Sequence, residues 1–448
     1  MTTHMTTFRL THARANTASS AAKRVARRWM VAALVTCAGI GTHRTAVAAV
    51  VPFPIAPVAG VEGIANTRSG VRVVLVHGDT IYVGGTFRVT QGTNTRNNLA
   101  AFDFNGSLKP AFDANPNGAV LALATDGKSL FVGGEFTRLD LKKRLAAVDL
   151  VTGKVDRRFT AHVGGAIDSE TPVGVRALAV VTDPSVRPGA AGLATRLIVG
   201  GNFTHVDSTI DNRSGLAALS PETGDLDAST FTTGVQGGFV DALLPSASGL
   251  YVGGSFTQIQ KRAVSLAEVN VAGTLLAGTF NTGGQPVIDL TIDETGSRLF
   301  AGVGGAANRV FAFAATGANR GTRLWRGPQA GGDVQAVHHY AGNVYFGFHD
   351  GLFMEPDPYK LAVLDAATGA LEVDGAHQGL ICADTDADRG NCWLPRMDNT
   401  QGQGFFGVWT IGHFVDPVTN KAGLIVGGDF TQIGGVPNTR RFAIFNEP

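Results

Sequence analysis

Leu424-Ile425-Val426-Gly427-Gly428-Asp429-Phe430 joins a short apolar run to a glycine pair and a phenylalanine. The same phrase starts at Ile81, Leu130, Leu197 and Leu250, with shortened copies at Leu299 and Val344. That makes seven. An apolar run such as Val120-Leu-Ala-Leu-Ala124 or Val175-Arg-Ala-Leu-Ala179 precedes each copy after a turn. A third apolar segment follows, for example Leu145-Ala-Ala-Val-Asp149 or Leu361-Ala-Val-Leu-Asp365. Thr-Gly turns at 152–153, 223–224 and 368–369 lead to a last segment bearing Phe112, Phe159, Phe231 or Phe280.

Four short β-type segments separated by Gly and Asp/Asn turns spell a four-stranded antiparallel sheet. Successive copies lie 49, 67, 53, 49, 45 and 80 residues apart, and the regular value near 50 matches one propeller blade. The long gaps predict insertions at about 182–195 and 380–405. Helical periodicity is missing between the segments, which disfavours a βα repeat. The glycine pairs recur inside a strand pattern, so they mark a bulge or a close backbone approach rather than a phosphate cradle. The last copy stops at Phe442-Ala-Ile-Phe445, one strand short, while Val51–Val58 is a strand-like fragment without partners. The prediction is an all-β, seven-bladed β-propeller of four-stranded antiparallel blades, closed by an N-terminal strand that removes the open edge.

The phrase L-Y-V-G-G-x-F-T, then x-x-x-G-G-V-x-x-x-R and L-A-x-F/L-D, resembles the delta-sixty repeat propellers of secreted bacterial proteins. Leu424–Phe445 matches best, through Phe430-Thr-Gln-Ile-Gly-Gly-Val436 and Arg441-Phe-Ala-Ile-Phe445. The resemblance spans about 72 to 445 and lapses in copies five and six. It implies an extracellular propeller and brings no activity with it.

Of 448 residues, 59 are glycine, 44% are hydrophobic and only 16% are charged, which describes a buried core, many turns and a quiet surface. Seven of the 37 Lys/Arg and none of the 36 Asp/Glu fall in the first 48 residues. There the basic run Lys23–Arg28 precedes the apolar Trp29–Ile40 and Ala46-Val47-Ala48. This order predicts a secretory signal peptide over 1–48, with the propeller over 49–448. An apolar stretch of that length is too short for a membrane span. Without the leader the formal charge is −6 and no basic block remains, which argues against nucleic acid or an anionic membrane as partner.

Cys382 and Cys392 remain after cleavage, and in an exported chain they are expected to form one local disulfide. Between them Asp384, Asp386 and Asp388 alternate, a spacing able to offer oxygen ligands to calcium, although the EF-hand order of Gly and Glu is absent. His338, His339, His349 and Asp350 sit at the predicted inner strand of copy six and just beyond its second strand, where channel-facing ligand residues belong. Trp325, Trp393 and Trp409 are candidates for stacking on sugar rings, Trp393 being placed on the ligand face. No nucleotide-binding or serine-hydrolase motif is present. The sequence points to a monomeric, secreted, non-catalytic module binding glycan or protein at the cell surface. The alternative is a hydrolase or lyase acting on extracellular polysaccharide at the channel mouth.

Overall fold

The computed structural model describes residues 53, 59–60, 70–183, 195–207, 213–227, 231–262, 264–276, 278–350, 359–373, 382, 391–398, 406–437 and 439–447. The chain divides into two units, Met1–Val47 and Ala48–Pro448, and the predicted leader falls outside the described residues. Among those residues every extended element is a strand, and no helix is long and apolar enough to cross a membrane.

Among the described residues seven antiparallel sheets of three or four strands follow one another, one for each copy of the phrase, and three short strand pairs lie besides them. Their first strands are Gly70–His77, Val120–Thr125, Gly174–Thr182, Val240–Ser246, Val287–Ile292, Val334–Tyr340 and Val408–Val415. Each pairs with the glycine-bearing strand, which pairs in turn with the third. Each first strand also packs on the first strand of the next sheet, and Val408–Val415 packs on Gly70–His77.

The glycine pair has two separate tasks. A side chain on the first glycine would collide with a valine of the following sheet: a Cβ on Gly133 would meet Val175 Cγ1 at 2.5 Å, and one on Gly200 would meet Val240 Cγ1 at 2.6 Å. The relation runs through all seven sheets and ends with Gly427 facing Val71 at 2.4 Å. A β-carbon on the second glycine would meet a backbone carbonyl instead, Ala119 O at 2.0 Å from Gly134 and Gly407 O at 2.1 Å from Gly428. Close sheet packing sets the first glycine, and close strand crossing sets the second. Copies five and six keep the first glycine as Gly302 and Gly347 and carry Val303 and Phe348 in the second place.

The residues past the glycines close a loop that explains the spacing to the third strand. Arg144, Gly215, Ser265 and Arg441 all have left-handed φ, between 63° and 68°. Each donates its N–H to the phenylalanine carbonyl of the phrase, as Arg144 does to Phe136, and accepts from the second glycine, as from Gly134. The third strand then starts with its apolar residues already in register.

Among the described residues two of these sheets hold four strands. Sheet five adds Arg323–Arg326, and sheet seven adds Ala59–Gly60. In five others the fourth segment is a single bridge, such as Val148 to Val155. The Asp-led turn is the reason: Asp149 Oδ1 accepts from the N–H groups of Val151 and Thr152 and from the Thr152 hydroxyl. The chain turns at Gly153, with φ of 71°, and soon commits Phe159 to the core. The expected fourth strand is thus seen as a strand in two sheets and as a single bridge in the other five among the described residues.

The N-terminal segment reaches the last sheet at Ala59–Gly60, and of the Val51–Val58 fragment expected there only Phe53 is among the described residues. Ala59 pairs with Ile444 and Gly60 with Ala443, beyond Val51–Val58. Phe53 serves as an anchor, 2% exposed among Trp393, Tyr345 and residues of sheets six and seven. The expected insertion at 182–195 lies between Thr182 and Thr195, which pair with each other, and its interior is outside the described residues.

Candidate functional site

Every first strand carries one β-bulge at the same point. Pairing steps from Val71 to Val73, from Val120 to Ala122, from Val175 to Ala177 and from Val240 to Ala242. It steps likewise from Val287 to Asp289, from Val334 to Ala336 and from Val408 to Thr410. The residues left out of the ladder are Arg72, Leu121, Arg176, Asp241, Ile288, Gln335 and Trp409. All seven line one cavity of about 320 Å³, joined by Thr86, Ala119 and Glu135. In five sheets the second glycine lies under a close partner carbonyl at this bulge, while sheets five and six keep the bulge beside Val303 and Phe348. The preceding residue is valine in every sheet, fully buried as the knob of the sheet contact.

Charge is uneven around this ring. Arg176 Nε donates to Asp241 Oδ1 at 2.6 Å, and its guanidinium lies 4.9 Å from the Phe239 ring centre. Burial pushes the Asp241 carboxyl up, and Arg176 opposes the shift. Arg72 lies 4.1 Å above the Trp409 ring, a cation–π stack. Burial holds its basicity below the usual arginine value against the pull of Asp429 and Glu135. Asp429 is pushed up by burial while the Gly407 N–H, at 2.6 Å, opposes the change. Among the described residues no hydrogen bond or ion pair engages the side chains of Arg72 and Glu135. Sheets one to four thus present charged groups to the cavity, and sheets five to seven present Ile288, Gln335 and Trp409.

The residues expected from sequence divide into several groups. His349 stands beside the cavity, its ring 6.2 Å from Trp409. Its Nε2 accepts the Asp333 N–H at 3.2 Å, and its Nδ1 lies 3.0 Å from Asp350 Oδ1. His339 is packed away, stacked on Phe300 at 5.5 Å with Nδ1 3.2 Å from Glu294. His338 Nε2 and His413 Nδ1 share a hydrogen bond of 2.7 Å between sheets six and seven. Trp393 is corrected from a ligand-face residue to a core residue: it is 0% exposed, and its indole N–H donates to Phe53 O at 3.0 Å. Trp325 likewise donates to Ala366 O, at 3.1 Å. Cys382 and Cys392 form a disulfide. Asp384, Asp386 and Asp388 lie outside the described residues, and so does most of the predicted 380–405 insertion.

Apart from Trp409, the bulge residues escaped the sequence reading, yet a signal was there. V-R-V, V-L-A, V-R-A, V-D-A, V-I-D, V-Q-A and V-W-T open the seven first strands. A constant valine stands before a position whose chemistry changes from copy to copy.

The histidine pair gives a pH prediction. Burial, followed by the neighbouring His413 and His339, lowers His338 to about 3. Burial also lowers His339 and His413, with Glu294 opposing in both. The folded state therefore keeps His338 neutral while the unfolded chain takes a proton below about pH 6.5. Stability from this group is complete above that pH and falls on acidification. His338→Gln keeps a partner for His413 and removes the titration. Relative to wild type the variant is expected to gain about 2 kcal/mol between pH 7.5 and pH 5. Urea unfolding at both pH values measures this, and equal losses in the two proteins would refute it.

No family model matches the sequence, and no curated protein matches it. Among solved structures, the chain is similar to the computationally designed Ika8 protein, at 13% identity and a TM-score of 0.45, over 87% of this chain and 99% of that one. It is similar to the WD40 beta propeller domain of Doa1, at 12% identity and a TM-score of 0.42, over 88% and 98%. A third is the beta-propeller domain of Cps50 (Swd1) from Myceliophteria thermophila, at 12% identity and a TM-score of 0.43, over 85% and 98%.

Proposed function

We propose that this chain is an exported, monomeric, non-catalytic binding module, built as a seven-bladed β-propeller and closed by its N-terminal segment, that takes extracellular glycan or protein into its central cavity. One observation carries the reading. Seven bulge residues converge on one cavity, and their chemistry varies while the valine beside each stays fixed. A position that served packing alone would be held to one apolar type, as that valine is. Export is supported by the basic, apolar and A-x-A order of the first 48 residues and agrees with the Cys382–Cys392 disulfide.

The test obstructs the cavity without touching the sheet contacts. Ile288→Arg places a long side chain at a bulge position that makes no ladder bond. Saturable binding to a panel of extracellular polysaccharides and cell-surface proteins is expected for the wild type, with no product formed. The variant should lose at least tenfold in affinity at an unchanged melting temperature. Binding that survives the obstruction moves the site elsewhere, and release of shortened saccharides makes the protein an enzyme.

A further inference from the structure

Resting on the cavity reading above, the structure assigns, we propose, a neutral polyhydroxylated ligand to the cavity: a sugar unit whose neighbouring hydroxyls bridge Arg72 and Glu135. These two side chains come from adjacent sheets, line the same space and take part in no hydrogen bond or ion pair among the described residues. Arg72 offers only donors and Glu135, when ionised, only acceptors. Stacking on Trp409, at 4.1 Å, fixes the plane of the guanidinium and leaves its edge free to donate. A hydroxyl satisfies both groups at once, since it donates to the carboxylate and accepts from the guanidinium. Two adjacent hydroxyls do so with bidentate geometry on Arg72.

Charge argues against the other ligand classes. Arg176 is already held by Asp241 at 2.6 Å, so Arg72 is the cation left for an anion. A carboxylate or phosphate on Arg72 would meet Glu135 and Asp429, and a cation on Glu135 would meet Arg72. An uncharged ligand bearing both donors and acceptors meets neither repulsion. Ile288 and Trp409 supply the apolar side, where the C–H face of a sugar ring rests, and Gln335 adds one more donor and acceptor. The volume of about 320 Å³ is at the small end for ligand sites, which suits a free monosaccharide or the end of a glycan chain.

The experiment uses the full chain and isothermal titration with four sets of probes. These are neutral hexoses and pentoses, neutral pentasaccharides of the same sugars, oligogalacturonates, and acidic or basic decapeptides. Binding to a neutral saccharide is expected, with at least tenfold loss in both Arg72→Gln and Glu135→Gln and melting temperatures within a few degrees of wild type. Equal affinity for a monosaccharide and its pentasaccharide identifies a single-unit site, whereas a large gain with length identifies a chain end. Two results overturn the sugar assignment while leaving the cavity reading in place: binding of a uronate or peptide in place of neutral sugar, or neutral-sugar binding that Glu135→Gln leaves intact but Ile288→Arg abolishes. No binding by any probe overturns the sugar assignment. Sugar binding untouched by all three variants overturns the cavity reading as well. Should Arg72→Gln unfold, Glu135→Gln decides alone, because its carboxylate holds no other group among the described residues.

Discussion

Gly134→Ala is expected to destabilise the protein by about 3 kcal/mol, close to the upper end for a single overpacked methyl. The new Cβ would sit 2.0 Å from Ala119 O and 3.0 Å from Val120 Cα, both backbone atoms. No rotamer change relieves such a contact. The first strand of sheet two must move outward, and this pulls Val120 from the space beside Gly84, where the two sheets meet. Two controls sort the causes. Gly296 has φ of 68° with nothing within 4 Å of an added Cβ, so Gly296→Ala meets only the left-handed penalty, about 1 kcal/mol. Gly133→Ala strikes a side chain, Val175 Cγ1 at 2.5 Å, and Val175→Ala should relieve part of it, giving a non-additive pair. Urea unfolding of the wild type, the four single variants and the Gly133→Ala/Val175→Ala double variant measures the series. A Gly134→Ala variant no weaker than Gly296→Ala would show that the strand crossing is looser than described.

Trp393→Ala is expected to destabilise by about 3–5 kcal/mol, the range for truncating a buried aromatic. Trp393 packs edge-on to Tyr345 at 5.7 Å and lies 5.7 Å from Phe445, in the cluster that joins sheets six and seven. Its N–H is also the donor to Phe53 O, so truncation leaves a buried carbonyl unpaired and loosens the N-terminal segment. Trp393→Phe keeps most of the apolar area and is expected to lose about 1–2 kcal/mol, chiefly for the missing donor. Thermal and urea melts, together with protease cleavage near residue 60, report both effects. A Trp393→Ala protein of native stability that bound its ligand more weakly would return this residue to the ligand face.

The two outcomes separate what was legible beforehand. The glycine pairs announced a bulge or close approach, and each glycine does sit under a close approach, with a bulge in the strand paired to it. The Thr-Gly turns fall where expected, with Gly153, Gly224 and Gly369 at φ of 71°, 80° and 75°. Aromatic residues were less legible. Trp393 and Trp409 carry the same side chain, yet the first fills a core and the second faces a cavity, a difference that depends on which neighbours arrive from distant sheets. Of the neighbouring histidines, His339 lies against Phe300 and His338 meets His413, 75 residues away. Side-chain alternation says only that the two part.

The sequence alone determined the repeat, its period and the strand order, because a local pattern of apolar residues, glycines and turns is enough to specify a hairpin three strands wide. It also placed the buried valines, glycines and phenylalanines, since each repeats the same contact in the same unit. The tertiary structure decided where the repeats converge. Arg72 and Trp409 are 337 positions apart in the chain and 4.1 Å apart in space, and Glu135 reaches the same cavity from another sheet. A site assembled from one residue of each repeat has no sequence motif of its own, because each contributor obeys the rule of its own strand. Long-range packing between sheets brings them together, and in a chain of this length that packing is what creates the site.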